Sequence, residues 1–162
     1  MSPFAQDQAE GLRRLLAPDF VRVVTVASGR SGIGKTATVL NLAVVLAQRG
    51  KKVLIIDERP ARKPAAPSPF PSPHHDLAAV IRGRKTLPEI IVEGPDGVRL
   101  LRAREGMRRL AELDAPAQEA LSHAFGQLAQ SVDIVLADPA PGAGQTSLSL
   151  SLAAQELLLL VS

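Results

Sequence analysis

Three short runs of this chain, VLIID at 53–57, DIVLAD at 133–138 and ELLLLV at 156–161, are apolar at consecutive positions instead of every second one. A strand with one wet face alternates; a strand buried on both faces does not. Such runs belong at the centre of a parallel sheet covered by helices on both sides. Together with two further runs they predict strands near 21–27, 52–56, 98–101, 132–137 and 156–161. Helical segments alternate with them, so the chain reads as an α/β fold, a mostly parallel β-sheet with helices on both faces.

The helix signals are local. Gly50 stops a helix over 36–49, Asp76 and Gly83 bracket LAAVIR, and TLPE at 86–89 has the spacing of a capping box. GPDG at 94–97 is a turn into the strand that follows, and a longer helix fills 115–130. The stretch 59–73, RPARKPAAPSPFPSP, holds six prolines and reads as a mobile, partly extended loop.

Composition narrows the function classes. The 162 residues are 46% hydrophobic, enough for one domain with a core. Cysteine is absent, which excludes disulfides, thiolate metal sites and a cysteine nucleophile. His74, His75 and His123 have no partner at ligand spacing and read as loop and helix residues. No apolar run approaches the roughly 20 residues that cross a bilayer, and no secretory signal opens the chain, so a cytoplasmic protein is expected. The net charge of +3 is too small to argue nucleic-acid binding, and with no Tyr or Trp there is no base-stacking platform. Arg102, Arg104, Arg108 and Arg109 form the densest basic patch, read as a solvated face.

The residues that carry chemistry lie between the first strand and the first helix, in SGRSGIGKT at 28–36. Gly29, Gly34, Lys35 and Thr36 satisfy G-x-x-x-x-G-K-[ST] in its strand–loop–helix setting. Glycines allow a tight loop whose N–H groups turn inward, and the helix N-terminus adds its dipole for a polyphosphate. The loop residues Gly29, Arg30, Ser31, Gly32, Ile33, Gly34, Lys35 and Thr36 are therefore the candidate nucleotide site. Lys35 would neutralise the β- and γ-phosphates, and Thr36 would ligate Mg²⁺. Asp138, ending the strand at 132–137, can reach the same ion through water, and Asp57 ends another strand in the same way. Lys35, Asp57 and Asp138 are the candidate catalytic residues, with ATP and Mg²⁺ as cofactors.

The loop resembles the deviant Walker A motif of the MinD/ParA ATPases, K-G-G-x-G-K-[ST], with Arg30 at the position of the family lysine. NLA at 41–43, KKVLIID at 51–57 and D-x-x-x-G at 138–142 also fall at family positions. The resemblance implies a three-layer P-loop NTPase sandwich and a possible ATP-dependent homodimer in which Arg30 alters the cross-contact, since arginine and lysine differ in shape and reach.

Near the N-terminus stands DQAEGLR at 7–13. Physically it is a short amphipathic helix, with Ala9, Leu12 and Leu16 on one face. Ahead of a MinD-like loop it resembles the D-Q-A-x-x-L-R activation motif of the FlhG family, also called FleN or YlxH, which controls flagellar number and placement. The segment 76–101 is similar to the middle of such proteins. The resemblance implies an activation helix over 1–18 followed by an NTPase domain over 19–162. It further implies that residues 7–13 stimulate the GTPase FlhF, with Gln8 orienting water, Asp7 and Arg13 fixing the helix, and Leu12 anchoring it beside Ala9. Membrane or cell-pole recruitment would then come through a partner.

Four departures from the family pattern matter. The family strand ends in D-x-D, whereas this chain reads Asp57, Glu58, Arg59: unless Glu58 turns in, the second carboxylate is missing and a cation replaces it. The proline-rich segment after it is a poor γ-phosphate clamp. Ser31 replaces a glycine, tolerable where its φ stays negative, and Ala37 replaces a hydroxyl. Lastly, the sequence stops at LLLLVS, where the family pattern continues into further strands and an amphipathic helix, so an exposed apolar edge strand is expected. An ATP-binding regulator with weak hydrolysis is the first expectation. A non-catalytic partner-binding module with a vestigial nucleotide site, and a partition ATPase of the ParA/MinD type, are the alternatives.

Overall fold

The computed structural model describes residues 21–60, 69–140 and 154–161. The N-terminal segment 1–18 and Gly142 of the D-x-x-x-G motif lie outside the described residues. Six strands form one sheet in the order β3-β4-β2-β5-β1-β6. They are β1 (Arg22–Ser28), β2 (Val53–Asp57), β3 (Val92–Glu93), β4 (Arg99–Arg102), β5 (Ile134–Asp138) and β6 (Glu156–Leu160). All pairings are parallel except the short antiparallel β3–β4 contact. Among the described residues five α-helices accompany them: α1 (Lys35–Gln48), α2 (Leu77–Ile81), α3 (Leu87–Ile90), α4 (Arg104–Arg109) and α5 (Ala115–Ala129).

Two of the three continuous apolar runs, β2 and β5, have the expected cause, whereas the third, β6, lies at the edge of the sheet with exposed side chains and not at its centre. Leu54 and Ile56 of β2 with Val135 and Ala137 of β5 join a core with Leu77, Leu87, Met107, Leu121 and Phe125, residues from or beside α2–α5. Val53, Ile55 and Leu136 point into a second core with Val39 and Ala43 of α1. Successive side chains of a strand alternate between faces, so a run buried on both faces must be apolar throughout. The sheet is thus the middle layer of three.

Helix ends follow their sequence signals. Asp76 caps α2 by accepting from Ala78 N at 2.9 Å. Thr86 and Glu89 form the capping box of α3. The Gly50 N–H donates to Ala47 O at 2.8 Å and the Lys51 N–H to Leu46 O at 3.1 Å, closing α1 in a Schellman motif.

Two elements were not anticipated. The strand β3 is only two residues long, and α4 occupies the segment read as a basic patch. In α4, Glu105 pairs with Arg109 at 3.2 Å and with Arg108 at 3.8 Å, so two of the four arginines are matched within their own helix. Arg102 donates instead to Pro73 O at 3.3 Å.

The loop expected to be mobile over 59–73 has a buried anchor. Phe70 is 6% exposed, sits in the α1-side core, and lies against Gly94. Residues 61–68 lie outside the described residues. At the other side of the sheet, β6 pairs with β1 and presents Leu157, Leu158 and Leu159 as exposed side chains, the apolar edge the sequence suggests. Among the described residues no helix is long and apolar enough to cross a membrane.

Candidate nucleotide site

Parallel topology brings the site together. The register that pairs β2 with β5 sets Asp57 opposite Asp138, and β5 in turn lies beside β1, whose end at Ser28 opens the glycine-rich loop. Carboxyl ends of parallel strands next to a reversal of strand order are where α/β folds place ligands.

In the loop, Gly32 and Gly34 adopt φ of +83° and +84°, and Gly34 is the residue immediately before α1. Among the described residues Asp96 is the one non-glycine with positive φ, so Ser31 meets the condition set for it. Within the loop the left-handed positions fall on glycines alone, which have no side chain to strain there. Gly29 differs in that its φ is not positive; at Gly29, as at Gly32 and Gly34, a Cβ would meet no atom of the described residues within 4 Å. Gly29, Arg30, Ser31, Gly32 and Gly34 are exposed, whereas Ile33, Lys35 and Thr36 are half-buried.

Lys35 and Thr36 both meet Asp138. The Thr36 hydroxyl donates to Asp138 Oδ2 at 2.9 Å. Lys35 Nζ lies 3.4 Å from Asp138 Oδ1 and donates to the backbone oxygen of Pro139. Asp138 is 1% exposed, and burial raises its pKa above the ordinary aspartate value against the pull of Lys35 and Arg59.

The segment after β2 is where sequence reasoning left a condition open. Glu58 does turn in. It is 1% exposed, its backbone N–H donates to Asp138 O at 3.1 Å, and its Oε2 accepts from Ala140 N at 3.4 Å. Burial first, then the nearby aspartates, push its carboxyl up to about 7, with the Ala140 N–H and Lys35 pulling the other way. A carboxyl group is therefore present near the D-x-D position, one residue early.

Arg59 is also in the site. Its Nε and Nη2 donate to Asp57 Oδ1 and Oδ2 at 2.8 and 2.9 Å, a bidentate pair, and its backbone N–H donates to Asp57 Oδ1 at 2.8 Å. The same Nε lies 3.2 Å from Asp138 Oδ2. Burial lowers the pKa of the guanidinium, but hydrogen bonding to Asp57 and the charges of both aspartates outweigh it and leave the value raised.

The donor set for a magnesium ion can now be tested. Thr36, Asp138 and Asp57 offer the hydroxyl and carboxylate oxygens that Mg²⁺ prefers. Only some of the site's oxygens are engaged: Asp57 on both atoms by Arg59 and Asp138 Oδ2 by Thr36 and Arg59, whereas Asp138 Oδ1 and Glu58 Oε1 are buried without a hydrogen-bond partner among the described residues. The residues fit the ion: Thr36 would hold it through its free lone pairs, and Asp138 would reach it through water.

The partner-binding candidates Asp7, Gln8, Ala9, Leu12 and Arg13 lie outside the described residues. Among those described, Arg59 was named as a departure from the family pattern, but its grip on both aspartates was not foreseen. The charge reversal at D-x-D was its only signal.

Comparison with known proteins agrees with this fold. The family model described as an AAA domain matches residues 21–162. The antiactivator FleN of Pseudomonas aeruginosa is 34% identical over 141 residues, covering 87% of this chain and 50% of FleN. The chain thus spans about half the length of that relative. Cobyrinic acid a,c-diamide synthase from Mycobacterium smegmatis, solved with bound ADP and magnesium, superposes with a TM-score of 0.63 at 25% identity, covering 86% of this chain and 59% of that one. MinD in the MinC:MinD cell division complex of Aquifex aeolicus shares the fold, with a TM-score of 0.58 at 23% identity over 86% of this chain and 55% of that one.

Proposed function

This chain belongs to the AAA-domain family matched over residues 21–162, as an FlhG/FleN-like member with the MinD/ParA-type fold, and from that premise we propose that it is an ATP-binding regulator of flagellar number and placement. The observation that carries the nucleotide part is the convergence of Lys35 and Thr36 on Asp138 beneath an open glycine loop. Among the described residues no atom lies within 4 Å of a Cβ built at Gly29, Gly32 or Gly34, which leaves room for a phosphate against the loop backbone. In this reading the loop N–H groups and Lys35 hold the phosphates, Arg30 reaches a partner's nucleotide in an ATP-dependent dimer, and the protein acts in the cytoplasm.

Output to the flagellar system runs through residues 7–13. Gln8 enters the active site of an FlhF-type GTPase and orients its attacking water, a role glutamine fills in GTPase chemistry. Support comes from the D-Q-A-x-x-L-R match and from the FleN relative. The experiment is a GTPase assay of FlhF with this protein and its Gln8→Ala variant. Stimulation by the parent and none by the variant is expected; equal stimulation by both would remove the helix from the account.

ATP turnover in this reading is slow, because Arg59 ties down Asp57 and Asp138. Arg59→Asp, which restores the D-x-D pattern, raises the ATPase rate; an unchanged rate would refute the assigned cause.

A further inference from the structure

Glu58 is a buried acid to which the nucleotide-binding reading above gives no task. Resting on that reading, we propose that Glu58 is a magnesium-positioning residue, whose Oε1 accepts, together with Asp138 Oδ1, from water in the shell of an ion held by Thr36.

Two oxygens of the site are orphaned. Among the described residues, Glu58 Oε1 and Asp138 Oδ1 are buried with no hydrogen-bond partner. A buried acceptor without a donor loses its hydration and gains nothing for it, so such atoms mark places where water or an ion belongs. Both oxygens lie in one cluster. The Glu58 backbone N–H donates to Asp138 O at 3.1 Å, and Glu58 Oε2 accepts from Ala140 N at 3.4 Å, so the side chain follows the backbone that leaves β5. Lys35 Nζ lies 3.4 Å from Asp138 Oδ1, and the charges of Lys35, Asp138 and Asp57 all act on the Glu58 carboxyl. Asp138 thus gives one oxygen to Thr36 and keeps the other, on the side of Lys35 and Glu58, without a donor.

The charge balance favours a cation here. Asp57, Glu58 and Asp138 bring three carboxyl groups, and Arg59 and Lys35 bring two cations. Arg59 occupies both oxygens of Asp57 and lies against Asp138 Oδ2, but it donates to neither orphaned oxygen. Phosphates add further negative charge, which a divalent ion offsets. Mg²⁺ prefers oxygen donors and keeps several of its waters, so most acidic side chains meet it through water. Glu58 is suited to that outer role because its backbone and one carboxyl oxygen are already fixed, which leaves the second oxygen set in place.

The test is calorimetric titration of ADP, which leaves hydrolysis out, into the parent and into Glu58→Gln, once in excess EDTA and once in millimolar MgCl₂. Glutamine keeps an oxygen for Ala140 N and replaces the other with an amide nitrogen, which cannot accept from water. The parent should bind ADP about tenfold or more tightly with Mg²⁺ than without it. Outer-shell partners are worth about 10- to 100-fold in metal affinity, so Glu58→Gln should cut the magnesium gain to about threefold or less. Its affinity in EDTA should fall no more than about threefold below the parent's. A merely structural Glu58 would weaken binding alike in both conditions, and that result would overturn the proposal. So would a full magnesium gain in the variant, or none in the parent. Should the glutamine variant fail to fold, Glu58→Asp keeps the charge and draws the oxygen back by one methylene. A smaller magnesium gain at unchanged EDTA affinity is then expected, and an unchanged gain would overturn the proposal. No binding of ADP to the parent in either condition would overturn the nucleotide reading, and this inference with it.

Discussion

The hydroxyl of Thr36, in the first turn of α1, donates to Oδ2 of Asp138, the last residue of β5, at 2.9 Å. This bond ties the phosphate loop to the strand that carries the acidic end of the site, across 102 residues of sequence. Asp138 is at once a partner for Thr36, Lys35 and Arg59, so the geometry of the loop depends on one buried carboxylate.

Asp138→Ala should therefore cost stability as well as chemistry. Removing it takes from the largely buried Lys35 the carboxylate 3.4 Å away, leaves it only the Glu58 carboxyl, and weakens the hold on Arg59. Breaking a buried pair costs about 3–5 kcal/mol, and the partial exposure of Arg59 places the expected loss at about 3 kcal/mol. Urea unfolding of the two proteins reads this directly; a difference under about 1 kcal/mol would show the ion pairs to be solvent-screened.

Asp76 joins two helices. Its Oδ1 accepts from Ala78 N at 2.9 Å and from Gly106 N at 2.7 Å, and its Oδ2 accepts from Glu105 N at 3.1 Å. Asp76→Ala removes an N-cap and orphans two more N–H donors, a loss of about 2–3 kcal/mol. The same denaturant series should show the midpoint falling, whereas Asp76→Asn, which keeps one acceptor, should lose less.

Gly106 sits where α4 touches α2. A Cβ at this position would come within 2.4 Å of Leu77 Cβ and 2.9 Å of Ala78 N. Backbone is among the atoms that would have to move, so Gly106→Ala should destabilise by about 1–3 kcal/mol despite alanine's better helix propensity. A thermal melt settles the sign, since propensity alone would predict a gain.

The capping box of α3 carries a pH signature. The Thr86 backbone N–H, then its hydroxyl and Lys85, bring the pKa of Glu89 down to about 2. A carboxylate depressed below its unfolded value of 4.5 contributes stability that is complete above that pH and is lost as pH falls toward 2. Carboxyl chemical shifts followed by NMR should give a Glu89 midpoint near 2; a midpoint near 4.5 would mean the box is not formed in solution.

How far the sequence foretells this arrangement depends on the range of the forces involved. Strands β2 and β5 are legible because burial on both faces leaves no room for polar residues, as at Leu54 to Ile56, and β1, β4 and β6 because each carries a short β-branched or leucine-rich run. Caps at Asp76 and Thr86 were legible because their partners lie within three residues. Helix α4 was hidden because its buried positions are Gly106 and Met107 amid four charged neighbours, a pattern that reads as a basic surface. The inward turn of Glu58 was hidden for a different reason: it depends on the backbone beyond β5, at Ala140. Likewise the grip of Arg59 on Asp138 exists only because β5, 80 residues later, is the sheet neighbour of β2.

The central claim is that the loop at 28–36 holds a nucleotide through Lys35, and calorimetric titration of Mg·ATP and Mg·ADP into the protein and its Lys35→Ala variant tests it most directly. The account predicts saturable binding to the parent and its loss in the variant. Absence of binding to the parent, or equal binding to both, would contradict it.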